Sequence, residues 1–232
     1  MNKFHPLHVF TGIVLCLALS SCSSTNRAYF DTLKLAVKSN ERKSLTIEQV
    51  RQSKADLLQV TVGERPPVVM ALAFIEKGQN KWVSADHAIF TIEQGVIVQT
   101  EGMSNDVLYT SNLAANPLAD KGMIDFSWQR QLDIAEVGYG LTVTGNWQVK
   151  SSETIEVLGN SFNTRRIEET LQFPKTTPFI ETTNAWTNTY WVDQNSGELL
   201  KASVRLMPEG ARIDMTYLSR AARHTSAAGS TL

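Results

Sequence analysis

Residues 141–149, LTVTGNWQV, decide the fold: Leu141, Val143, Trp147 and Val149 fall on one side of an extended chain, and Thr142, Thr144, Asn146 and Gln148 on the other. This period of two belongs to a strand with one face in a core and one in water. Gly145 interrupts the apolar side and is read as a bend or bulge. The same alternation continues outward in both directions. Upstream, Ile124, Phe126, Trp128, Leu132 and Ile134 share a face on which Arg130 is the exception. Downstream, stretches 155–158 and 165–173 flank the turn residues Gly159 and Asn160, and 186–193 and 199–207 enclose Gln194, Asn195, Ser196 and Gly197, a loop with hairpin chemistry. Stretch 211–218 supplies a last strand.

Between residues 56 and 124 the pattern gives strands at 57–62, 68–76, 81–84, 88–92 and 96–100, with Pro66 and Pro67 breaking the first pair and Gly95 turning the last. No long crossover separates any two, so the connections are antiparallel. The expected fold class is all-β with a short N-terminal helical segment: an antiparallel barrel, half-barrel or sandwich of roughly eleven strands. The helical segment comprises residues 27–39, where Tyr29, Leu33, Ala36 and Val37 recur at spacings of three and four, and residues 46–52 with Thr46 as N-cap.

The N-terminus carries a different kind of signal. Lys3 precedes an apolar run from Val9 to Leu19, and Leu19, Ser20, Ser21 and Cys22 form a bacterial lipobox. The run is too short for a spanning helix of ~20 apolar residues. Residues 1–21 are therefore expected to be a lipoprotein signal peptide, with Cys22 lipidated and its new amino group acylated by a chain such as palmitate; more than one acyl chain anchors stably. Residues 22–26 read as a tether, 27–223 as a single β-rich domain, and 224–232 as a disordered tail. A membrane-spanning barrel needs longer repeated strands and a lipid-facing band, so a lipid-anchored domain facing the periplasm is expected.

Charge and chemistry narrow the function. Of the 22 Lys and Arg only Lys3 lies in the leader, and all 23 Asp and Glu remain, so the mature formal charge is −2; no nucleic-acid footprint is present. Cys16 is lost with the leader and Cys22 is lipidated, which leaves no thiol for a disulfide. His87 and His224 are the histidines of the mature chain, too few for a His-rich zinc site. Asp193, Asn195, Gly197 and Glu198 imitate a calcium loop, but the glycine comes one position early and Val204 occupies the twelfth place. Gly159, Asn160, Ser161, Phe162 and Asn163 lack the last glycine of a nucleophile elbow. Glu168 and Glu169 point to opposite faces of a strand and do not form a facing carboxylate pair. Neither metal, cofactor nor enzymatic activity is expected. Trp186, Tyr190 and Trp191 are the candidate binding residues: alternation sets Trp186 and Tyr190 on one face and Trp191 on the other, one face belonging to the core and the exposed one to a sugar ring or partner protein.

The Trp82 strand, the run TIEQGVIVQTEGMSNDVLY at 91–109 and the run TNTYWVDQNSGELLKASVRLMPEG at 187–210 resemble the YjbF lipoproteins, which include the GfcB lipoproteins of group 4 capsule operons. The resemblance implies an all-β outer-membrane lipoprotein that takes part in producing or exporting an exopolysaccharide or capsule, by binding polysaccharide or an export protein, and it carries over no catalytic residue. Two other readings stay open. One is a periplasmic carrier enclosing an apolar ligand such as an acyl chain, which an unfilled apolar concavity favours. The other is a polysaccharide-modifying hydrolase, which requires clustered acids or an activated nucleophile in a cleft.

Overall fold

The computed structural model describes residues 45–119, 125–174 and 185–227. Cys22, the leader, the tether, the helix expected at 27–39, Ile124 and residues 228–232 lie outside that range. Helix α1 (Ile47–Gln52) opens on Thr46, as its capping-box sequence predicts: Gln49 N donates to Thr46 Oγ1 at 3.3 Å and Thr46 N to Gln49 Oε1 at 2.9 Å. Twelve strands follow: β1 (Leu57–Val62), β2 (Val68–Glu76), β3 (Gln79–Val83), β4 (Ile89–Glu93), β5 (Val96–Glu101), β6 (Val107–Thr110), β7 (Phe126–Ile134), β8 (Gly138–Val157), β9 (Asn160–Gln172), β10 (Trp186–Asp193), β11 (Leu199–Val204) and β12 (Ile213–Thr216). Helix α2 (Leu218–Ala227) ends the described chain.

All twelve strands form one antiparallel sheet in the order β5-β4-β3-β2-β1-β12-β11-β10-β9-β8-β7-β6. Every strand pairs with a sequence neighbour except at β1–β12, where the ends of the meander meet. The sheet thus curls into a nearly closed barrel whose seam lies between β5 and β6. There side chains replace the missing ladder: Val107 N donates to Thr100 Oγ1 at 3.0 Å, and Thr110 Oγ1 donates to the Val98 carbonyl at 2.9 Å. Both threonines are buried, so each hydroxyl satisfies a backbone group that water does not reach.

The strand inventory differs from expectation in three places. Residues 141–149 and 155–157 lie in one 20-residue strand, β8, whose bulge falls between Val149 and Ser152 and not at Gly145, and Leu158 belongs to the turn that follows. From Val149↔Ile167 to Ser152↔Arg165 the chain advances three residues on β8 against two on β9. The extra residue reverses the faces of β8, and Ile155 and Val157 pass to the outer side with Phe162. Strand β6 is additional. Residues 218–227 form α2, so Leu218 ends no strand and 224–227 belong to no tail. The reason is a short apolar stripe: Leu218, Ala221 and Ala222 pack with Val50 of α1 on Leu57, Ala71, Leu200, Ile155, Val157 and Phe162 outside the barrel wall. Ser219 Oγ accepts from Leu57 N at 2.8 Å, and His224 Nε2 lies 2.8 Å from Glu198 Oε2.

The main core fills the barrel. Leu141, Val143 and Trp147 are buried there as the alternation requires, with Val149 half-buried beside them. Trp147 stacks on Tyr190 at 5.0 Å between centroids and meets Trp128 at 6.3 Å; burying each such side chain contributes about 1.5–3 kcal/mol. On β7, Trp128, Arg130, Leu132 and Ile134 point inward, while Phe126 at the strand's start is exposed. Away from the helices the outer face is different: Asn146 and Gln148 of β8, before its bulge, and Thr170 of β9 are polar and exposed, as for a wall in water.

Candidate functional site

Two places in the barrel combine chemistry with space: a polar cluster inside it and a recess at one end. Inside, Arg130 Nη1 lies 2.5 Å from Glu169 Oε1. The second carboxylate oxygen of Glu169 accepts from Asn188 Nδ2 at 3.2 Å and from Tyr190 Oη at 3.3 Å. Asn188 Oδ1 in turn accepts from Arg205 N at 2.7 Å, and the Arg130 guanidinium lies 4.2 Å from the Trp128 ring centroid. Gly145 belongs to this cluster: a Cβ there would overlap the Glu169 carboxylate. The residue that breaks the apolar pattern of β8 therefore makes room for an ion pair on the neighbouring strands. Burial drives the Tyr190 phenol well above its ordinary pKa of 10.0, and the adjacent Glu169 charge adds to the rise.

The recess encloses about 580 Å³ where the β1–β2, β3–β4, β5–β6 and β11–β12 connections converge. Its deepest residues are the buried Val60, Met70 and Phe90; Val62, Met103, Leu206 and Met207 form half-buried walls, and Glu64, Arg65, Asp86 and Ser104 stand at the exposed rim. Two loops hold its shape. Asp106 gathers the β5–β6 loop, accepting from Thr100 Oγ1 at 2.8 Å, Gly102 N at 3.0 Å and Met103 N at 3.0 Å. Gly102, at φ +92°, brings that loop against Ala88, whose Cα would lie 3.3 Å from a Cβ at position 102. On the other loop, buried Ser84 donates to the Asp86 carboxylate and accepts from Ala88 N at 3.0 Å. Leu206 lines both the recess and a void of about 20 Å³ that reaches Arg130, Asn188 and Tyr190. Leu206 thus borders both the apolar recess and the polar cluster.

The aromatic candidates are split as their alternation requires. Trp186 and Tyr190 are buried, the former donating Nε1 to the Arg205 carbonyl at 3.0 Å. Trp191 faces outward and is half-buried; its Nε1 donates to Glu153 Oε2 at 3.0 Å, and Lys201 Nζ lies 5.1 Å from its ring centroid. Glu169 points inward and Glu168 outward, where Glu168 pairs with Arg166 at 2.7 Å. His87 occupies an exposed turn at φ 67°. The Asp193 carboxylate caps its own hairpin, accepting from Ser196 N at 2.8 Å and Ser196 Oγ at 2.7 Å. The recess itself carried no local signal, because its walls come from four distant loops.

Comparison with known proteins places this arrangement. A crystal structure of the hypothetical lipoprotein YmcC from Escherichia coli superposes with a TM-score of 0.69, covering 81% of this chain and 94% of that one; at 22% identity the likeness is one of fold. In sequence the chain is 23% identical to the uncharacterised lipoprotein GfcB of Escherichia coli over 214 residues, 90% of this chain and 96% of that protein. It is 26% identical to the uncharacterised lipoprotein YjbF of the same organism over 187 residues, 78% of this chain and 84% of that protein. The model of the family described as group 4 capsule polysaccharide lipoprotein GfcB, YjbF matches residues 30–218, from ahead of α1 to the start of α2 and so across every strand of the barrel, and the chain belongs to that YjbF family.

Proposed function

We propose that this protein is an outer-membrane lipoprotein, anchored through Cys22 and facing the periplasm, that assists capsule or exopolysaccharide production or export by binding the polymer or a component of its export machinery. The observation that carries the binding role is the recess: an open cavity of about 580 Å³ at one end of the barrel, with an apolar floor and a polar rim. Cavities of this size, apolar with a few polar groups, are ordinary ligand sites. A binding role is favoured over hydrolysis because Glu169 is sealed inside against Arg130 while Glu168 faces the outer side, so the two acids do not address one substrate.

Deletion of the gene tests the process. Surface polysaccharide falls in the deletion strain and returns with the wild-type gene but not with Cys22→Ser, whose product leaves the detergent phase; purified protein leaves the polymer uncleaved. Normal polysaccharide display in the deletion strain rejects the process, and full complementation by a Cys22→Ser protein still found in the membrane fraction rejects the anchor.

A further inference from the structure

We infer that the recess holds one acyl chain of an amphipathic lipid, with the lipid's polar head at the Glu64 and Asp86 rim. This rests on the recess being the binding site proposed above, and it makes the ligand of that site a lipid and not the sugars of the polymer. The chemistry of the wall makes the choice. A sugar presents hydroxyls all round, and each one buried without a partner costs free energy. Among the described residues the deep part of the recess offers Val60, Met70 and Phe90, and its one buried hydroxyl, on Ser84, is already bonded to Asp86 and to the Ala88 backbone. The broad rings suited to stacking on a sugar, Trp82, Trp128, Trp147 and Trp186, are buried in the core and line no part of it. An alkyl chain asks only for apolar contact.

Three of the walls are methionines, Met70, Met103 and Met207, unbranched and soft side chains that re-pack around a flexible tail. An empty apolar cavity forfeits dispersion contacts along its whole lining, and a tail restores them. Access follows from the topology. The loop carrying Met103 joins β5 to β6, the one pair of adjoining strands among the described residues that has no ladder between them. It is held by the Asp106 carboxylate and can shift to admit a chain without breaking a strand pair. The rim carries Glu64 and Asp86 against Arg65, which disfavours an anionic head.

The test uses the purified chain lacking its leader and Cys22, with N-phenylnaphthylamine as fluorescent reporter, glycerol monolaurate as neutral lipid and maltoheptaose as sugar. The reporter binds saturably, one per protein, and is displaced by monolaurate below its aggregation concentration but not by maltoheptaose. Ala211→Trp, which fills the recess from its rim, and Met103→Glu, which places a charge in its wall, each weaken monolaurate binding by about tenfold or more. Both are scored only with a wild-type melting temperature, and if either fails to fold the other decides. Displacement by maltoheptaose, absence of saturable binding, or wild-type monolaurate affinity in the folded variants overturns the assignment. This readout is independent of the deletion phenotype, so a failed process assignment and a failed lipid assignment are told apart.

Discussion

Arg130 and Glu169 meet at 2.5 Å inside the barrel, where 5% of one side chain and none of the other is exposed. Their strands, β7 and β9, are separated in the sheet order by β8 alone, which passes between them at Gly145, whose missing side chain leaves the gap the pair occupies. Taking both charges out of water is costly, and the contact offsets that cost only while both partners and the bonds from Asn188 and Tyr190 remain.

Removing one partner therefore hurts more than removing both. Arg130→Met or Glu169→Leu alone should destabilise the domain by about 3–5 kcal/mol, because each strands a buried charge. The double variant Arg130→Met/Glu169→Leu should recover most of that loss, as an apolar pair fills the space. Urea titration of the four proteins gives the coupling. Losses that simply add in the double variant would show that the two groups are not a unit.

This pair also shows how far the sequence could be read. Arg130 stood out as the exception on an apolar face, Gly145 as a gap in another, and Glu169 as an acid opposite in phase to Glu168. Alternation gave each residue's face, but only the register of β7, β8 and β9 brings the three together. The same limit applies to the strands. Residues 141–149 declared themselves by period, whereas β6 has four residues and takes its place from Asp106 and the seam threonines. Leu218, Ala221 and Ala222 do keep the helical spacing of α2, but three residues, two of them alanine, make a short stripe that runs straight on from the strand pattern ending at Leu218. The hairpin aromatics were correctly divided between two faces, and pairing with Leu171 and Ile167 put Trp186 and Tyr190 on the inner one. The recess draws on residues 60–70, 84–90, 102–105 and 206–211, so no local pattern could announce it.

The seam supplies the second prediction. Thr110 Oγ1 bonds the Val98 carbonyl and Thr100 Oγ1 receives the Val107 N–H, each in place of a ladder bond. Thr110→Val keeps the shape but leaves the Val98 carbonyl unpaired in a buried setting, at a cost of about 1–3 kcal/mol. Amides of β5 and β6 should then exchange with deuterium faster, while those of the β1–β12 pair stay protected relative to the global unfolding limit. Unchanged exchange at β5 and β6, with the variant folded, would mean that the hydroxyls do not hold the barrel shut.

The last prediction concerns alkaline pH. Burial raises the Tyr190 phenol well above 10.0, with the Glu169 charge adding to it and Arg130 opposing, and burial raises Tyr217 against the opposing pull of Arg220, whose guanidinium lies 3.9 Å from its ring centroid. Both rings stay protonated in the folded protein when the same phenols in an unfolded chain ionise near pH 10. Above that pH the unfolded state has released protons that the folded state keeps. Their contribution to stability is thus complete below about pH 10 and is lost as pH rises toward the folded-state values, with a slope of up to about 1.4 kcal/mol per pH unit for each ring. Urea midpoints measured from pH 8 upward should fall beyond pH 10, and Tyr217→Phe should make that fall shallower. The phenolate absorbance of the two rings should appear together with loss of the near-ultraviolet circular dichroism signal. A phenolate signal that Tyr190→Phe and Tyr217→Phe remove, developing while the fold is intact, would show that the barrel interior is open to hydroxide.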